Sequence, residues 1–202
     1  MNKRNWLVLD FEFSLYQRSY GRPRAFFPEI IEVGAIVVEG IDSSLDGGYQ
    51  TFVKPRFFPR LTEECKQLTM IRQADVDGGV PLEVMLEQLL PMYSPGETMI
   101  VAWGEADRDV LHNVCQRYGL EYPFIWDDYV DLSMEHKRFY GLERRISLKK
   151  AVDALNLDLL GVSHSALDDA RNTALIIQCM LEDGWCLKRE ATTVPEAVSD
   201  IS

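Results

Sequence analysis

The sequence predicts an α/β fold in which a single mixed sheet carries helices on both faces. Three observations lead there. Two apolar runs, at residues 6–9 and 30–38, open the chain, and Asp46-Gly47-Gly48 turns it back into a third run at 49–53. From residue 98 onward, strand-like runs alternate with helical periodicity, the pattern of parallel crossover units. The length of 202 residues and the 47% hydrophobic content suit one core rather than two domains.

Taken in order, Trp6-Leu7-Val8-Leu9 reads as a buried strand that runs on into Asp10-Phe11-Glu12. Strand side chains alternate, so Asp10 and Glu12 share one face while Phe11 takes the other. A loop at 14–28, rich in Arg, Tyr, Gly and Pro, is long for a connection between strands, a length often tied to function. The β-branched strand at 30–38 follows, and the third strand, at 49–53, ends by Pro55. These three form an antiparallel meander.

A short helix is expected at 61–69 with Thr62 as N-cap, and Pro81 opens another at 82–90. Pro95-Gly96 is a turn before the fourth strand, 98–103. Val110, Leu111, Val114 and Cys115 form one stripe of a helix at 107–118. A fifth strand is predicted at 126–132, then helices near 133–140 and 147–155. The last helix, 166–182, carries Ala170, Ala174, Ile177 and Leu181 at helical spacing. Beyond Lys188 the apolar period is lost, so 1–187 is expected to be the domain and 188–202 a flexible tail.

No run approaches a membrane span, and the opening residues lack an apolar signal region. The four cysteines form no Cys-x-x-Cys pair, and Cys65, Cys115 and Cys179 sit in apolar helical contexts. Reduced thiols in a cytoplasmic protein are therefore expected. The net charge of −11 argues against a sequence-independent polyanion binder. Two segments depart from that acidic body. Residues 1–27 hold five basic residues against two acids, and residues 135–150 hold six against two.

Three acidic stations stand out. The first is Asp10 with Glu12. The second is Asp107, where the fourth strand turns through Trp103-Gly104 into a helix. The third is His164-Ser165-Ala166-Leu167-Asp168-Asp169, at the start of the last helix. Strand ends and helix starts gather at one edge of an open α/β sheet, the usual ligand crevice. Carboxylate oxygens suit Mg²⁺ or Mn²⁺, and four of them can hold two ions about 3.5–4 Å apart for phosphodiester cleavage. Ser165 is placed to cap the last helix. A loop histidine beside such a centre can take a proton from water. On the residues alone, Asp168 competes with Asp169 for the ligand role, and Asp-x-Glu by itself also suits a solvated strand end.

The three stations together resemble the motifs of DEDDh-type 3′→5′ exonucleases of the DnaQ-like, RNase H-fold superfamily. The resemblance covers roughly residues 4–183. It implies an RNase H-like sheet, with Asp10, Glu12, Asp107 and Asp169 as ligands of two divalent cations, Mg²⁺ or Mn²⁺, and His164 as general base. The five-residue step from His164 to the last acid selects Asp169. It further implies that Glu12 contacts the terminal 3′-hydroxyl, that nucleoside 5′-monophosphates are released, and that Phe13, Ser14, Met70 and Trp103 lie near the terminal nucleotide.

The segment from Leu61 to Val76 is similar to the KapD-like and enhanced-RNA-interference branch, whose members mostly trim RNA 3′ ends; relatives often form homodimers. Two departures are Met70, where Gly is usual, and Phe13, where Thr is common. The alternatives are a DNA exonuclease on the same site, a non-catalytic regulator on the same fold, and an unrelated metal phosphatase. Retention of all five motif residues weighs against the second, and the lack of a phosphate-cradling Gly loop against the third.

Overall fold

The computed structural model describes residues 5–16, 21–162 and 164–187. Lys3, Arg4 and Arg18, three of the basic residues in 1–27, and the expected 188–202 tail lie outside the described residues. Strands β1 (Asn5–Phe13), β2 (Ile30–Val38), β3 (Tyr49–Phe52), β4 (Thr98–Ala102) and β5 (Tyr129–Asp131) form one sheet in the order β3-β2-β1-β4-β5. β2 runs antiparallel to both β1 and β3, whereas β4 runs parallel to β1 and β5 to β4. This is the antiparallel-then-parallel sheet that the sequence predicts.

The alternation along β1 builds two cores. Leu7, Leu9 and Phe11 face one side, where they pack with α3 (Leu82–Leu89) and α4 (Ala106–Tyr118). Trp6 and Val8 face the other, under α6 (Leu148–Ala154) and α7 (Ala166–Glu182). Asp10 and Glu12 continue the second series, which sends both carboxylates toward the α7 side.

Two placements make the strand end available. β4 pairs only with Asn5–Val8, so β1 outruns it and leaves residues 10–13 free of that neighbour. On the other side, Asp10 lies opposite Gly34 of β2. A Cβ at Gly34 would stand 2.1 Å from the Ala166 carbonyl carbon, so only glycine lets the α7 N-terminus come this close to the sheet.

The predicted boundaries hold for most elements, with two differences. The run at 126–132 is not one strand. Trp126–Asp128 is a 3₁₀ turn, β5 has three residues, and Asp131 caps α5 (Leu132–Phe139) by accepting from Met134 N at 3.1 Å. Buried Asp128 drives that turn, since its carboxylate accepts from Tyr93 OH at 2.6 Å and Gly96 N at 2.8 Å. A short helix, α2 (Gln73–Asp77), was not expected from the sequence; Asp75 starts it by accepting from Arg72 N at 2.8 Å. Thr62 caps α1 (Glu63–Thr69) as predicted, accepting from Cys65 N at 3.0 Å. No described helix is long and apolar enough to cross a membrane.

Candidate active site

Asp10 and Glu12 come from the free end of β1, Asp107 from the first turn of α4, and Asp169 from the first turn of α7. All four meet at one edge of the sheet. Asp107 is held there by β1 itself. Phe11 N–H, which β4 does not reach, donates to Asp107 Oδ1 at 2.8 Å. α4 packs on the face opposite α7, so this bond carries its carboxylate over the sheet edge to the two acids of β1.

The electrostatics show how crowded the site is. Burial pushes the Asp10 carboxyl well above its ordinary value, and Asp107, Asp169, Glu12 and Glu32 push it further. Burial also raises Glu12 to about 8, helped by Asp169, Glu32 and Asp107. Asp107 rises to about 6 from burial, partly offset by the Phe11 N–H bond. Asp169 is raised by burial as well, with the His164 N–H bond opposing. Acids gathered this closely are at odds with one another until a cation joins them. Among the described residues, Glu12, His164 and Asp169 each offer a ligand atom within 4.8 Å of the others. The carboxylate oxygens of this cluster fit a hard divalent cation, with the His164 imidazole beside them.

His164 Nδ1 lies 3.6 Å from Glu12 Oε1, and its side chain is 49% exposed. The residue takes a left-handed backbone conformation, φ 66°. Three side chains of α7 hold the turn that carries it. Asn172, fully buried, accepts from Leu160 N at 2.8 Å and donates to Leu160 O at 2.9 Å. Asp168 accepts from Val162 N at 3.0 Å, and Asp169 from His164 N at 2.9 Å. Arg171 braces Asp168 at 3.1 Å and donates to Asp46 O at 3.0 Å, which ties the clasp to the β2–β3 turn. Asp168 therefore binds backbone rather than joining the ligand cluster.

Ser165 occupies the N-cap position of α7 but makes no side-chain cap bond. Glu32 takes that part from the sheet. It is buried opposite Glu12, and its Oε2 accepts from Ala166 N at 3.2 Å while Gln50 donates to Oε1 at 2.7 Å. Sequence reasoning missed Glu32; a lone acid inside the β-branched run Ile30-Ile31-Glu32-Val33 was its signal. Four residues are expected near the nucleotide. Ser14 is buried, with Oγ accepting from Glu29 N at 3.0 Å. Phe13 is half-buried against the α3–α4 core, and Trp103 Nε1 donates to Ile146 O at 3.1 Å. Met70 ends α1 in a left-handed conformation and is 74% exposed.

A family profile described as Exonuclease matches residues 7–177. The chain belongs to this exonuclease family. It is 33% identical over 189 residues to the probable 3′-5′ exonuclease KapD of Bacillus subtilis, covering 94% of this chain and 90% of KapD. It is 31% identical to ERI1 exoribonuclease 2 of Homo sapiens, covering 94% of this chain but 30% of that longer protein. The nuclease domain of 3′hExo, a DEDDh family member solved bound to rAMP, superposes with a TM-score of 0.80 at 26% identity, over 90% of this chain and 94% of that one. The exonuclease reading of the motifs is thus borne out: the chain is a 3′→5′ exonuclease on an RNase H-like sheet, of a family that uses divalent metal ions.

Proposed function

We propose that this exonuclease shortens single-stranded or 3′-overhanging nucleic acid one nucleotide at a time, RNA in preference to DNA, with two Mg²⁺ or Mn²⁺ ions held by Asp10, Glu12, Asp107 and Asp169. The observation that carries this is the meeting of four carboxylates from three separate segments beside His164, each of the four pushed upward by burial. When bound, the ions activate the attacking water and stabilise the departing 3′-oxygen. His164, on its clasped turn and half exposed, takes the proton from that water at a ring nitrogen. Glu12, 3.6 Å from His164 Nδ1, also receives the terminal 3′-hydroxyl, which limits cleavage to chain ends. The product is a nucleoside 5′-monophosphate. The preference for RNA is supported by similarity to the exoribonuclease relatives and to the rAMP-bound nuclease domain.

The test is cleavage of 5′-labelled RNA and DNA of matched sequence with Mg²⁺, with Mn²⁺ and with EDTA. A metal-dependent ladder receding from the 3′ end, faster on RNA, is expected. Equal or faster DNA cleavage would assign the chain to DNA ends, and activity that survives EDTA would remove the metal from the account.

A further inference from the structure

Glu29 is fully buried, yet it serves an exposed loop. Its carboxylate accepts from three successive backbone N–H groups, Arg56 at 2.7 Å, Phe57 at 3.0 Å and Phe58 at 2.6 Å, and from the Tyr118 hydroxyl. A buried charge bound this fully fixes the backbone it holds. The loop it fixes presents Phe57, which stays 49% exposed.

Phe57 ends a continuous band of rings. Tyr16 meets Phe26 at 4.7 Å between centroids, Phe26 meets Phe58 at 5.1 Å, and Phe58 and Phe57 each meet Phe27 at 5.5 Å. Tyr16 lies four residues beyond Glu12, so the band starts at the catalytic end of β1. Ser14 N donates to Glu29 O at 2.8 Å, which laces that end to the same buried glutamate. Guanidiniums flank the rings. Arg22 lies 5.3 Å from the Phe26 centroid and Arg117 5.1 Å from that of Phe27, while Arg56, which also pairs with Glu83, lies 4.2 Å from that of Tyr118. Arg24, Lys54 and Arg60 are exposed in the same two loops.

The charge here runs against that of the chain. With a net charge of −11, the body repels a polyanion, whereas this face joins exposed arginines to accessible rings. Among the described residues Trp126 and Phe139 are exposed as well, and the surroundings of Trp126 are acidic. Trp126 also has an arginine, Arg108, 4.5 Å from its ring, but Glu105 and Asp109 both pair with that arginine. A groove of about 400 Å³ nearby is lined by Glu105, Asp127, Asp131 and Glu135 among others. Cationic rings suit the bases and phosphates of a single strand; acid-lined ones do not.

We propose that the Glu29-held loop, with Phe57, Phe26 and Tyr16 flanked by Arg22 and Arg56, is a stacking platform for unpaired nucleotides upstream of the 3′ end being cut. This rests on the reading of the chain as a nuclease for single-stranded ends. It makes cleavage depend on substrate length: a strand of about twelve nucleotides reaches the platform and one of about three does not.

The experiment compares kcat/KM on these two lengths for the wild-type chain, Phe57→Ala, Phe57→Leu and Phe57→Tyr, with thermal melts as the folding control. The wild-type chain and Phe57→Tyr should favour the long strand. In Phe57→Ala and Phe57→Leu that advantage should fall about tenfold through KM, because base–ring stacking is lost. Arg22→Gln should lower the salt dependence of binding to the long strand alone. A Phe57→Ala advantage equal to wild type overturns the platform, as a protein-docking face would require; so does wild-type cutting of both lengths at equal efficiency. Cutting of neither length by the wild-type chain overturns the nuclease reading along with it.

Discussion

Asp107 does two things at once: one oxygen ends the free edge of β1 by accepting Phe11 N–H, and the carboxylate completes the acidic cluster. Loss of outer partners at metal sites already costs about 10- to 100-fold, so Asp107→Ala and Asp169→Ala should lower metal-dependent cleavage by more than about 100-fold. Full activity in either, measured at saturating Mn²⁺, would remove it from the ligand set. His164→Ala should lower kcat by about 100-fold or more while the Mn²⁺ concentration for half-activity changes little. Equal losses in both would make His164 a ligand instead. These residues were legible because each station pairs an unusual acid with a strand end or helix start. Glu32 was not, since its part is to accept a backbone N–H from a helix 134 residues away, and nothing local marks that partner. Ser165 misled for the same reason: the cap position was right, but a buried acid on the sheet reached the helix end first.

At the level of elements, the site depends on how closely α7 approaches β2 and how firmly it grips the turn before it. Gly34→Ala would drive a Cβ into the Ala166–Leu167 backbone, where three atoms are 2.1–2.2 Å away and none is a flexible side-chain end. The expected result is about 1–3 kcal/mol of lost stability and a larger loss of cleavage, because α7 carries Asp169 and the clasp with it. Thermal melts beside cleavage rates, read where the variant is still folded, check this; wild-type rates would show that the site tolerates a displaced α7. Asp168→Ala removes the bond to Val162 N and the Arg171 brace. It should cost about 1–3 kcal/mol yet leave metal-dependent cleavage measurable, and abolished activity with intact folding would make Asp168 a ligand after all. The antiparallel start and the shared face of Asp10 and Glu12 were legible because β1 and β2 are apolar runs of strand length and side chains alternate along β1. The 126–132 region was not, since buried Asp128 and the Asp131 cap break up a segment whose Trp126, Tyr129, Val130 and Leu132 suggest a strand.

Across the whole molecule, the acidic cluster couples folding to pH and to cations. The folded-state values of Asp10, Glu12, Glu32, Asp107 and Asp169 are all raised, so the folded chain keeps protons that the unfolded chain releases. Stability from these groups is therefore full below their ordinary values. For Glu12 it is lost as pH rises from 4.5 toward about 8, the opposite of a salt-bridged carboxylate. Glu12→Gln mimics the protonated form and carries no such penalty. Without metal, it should melt higher than the wild-type chain at about pH 8.5, and the two should converge near about pH 5. Divalent cations reverse the order. On the proposed reading the deprotonated carboxylates of the folded chain hold them, so Mn²⁺ should raise the wild-type melting temperature more at the higher pH, and more than it raises that of Glu12→Gln. Melting curves with EDTA and with Mn²⁺ at the two pH values separate these effects. A wild-type chain that melts above Glu12→Gln at high pH without metal would mean that Glu12 is stabilised as an anion by the protein itself, and the crowding of the cluster would no longer call for a cation.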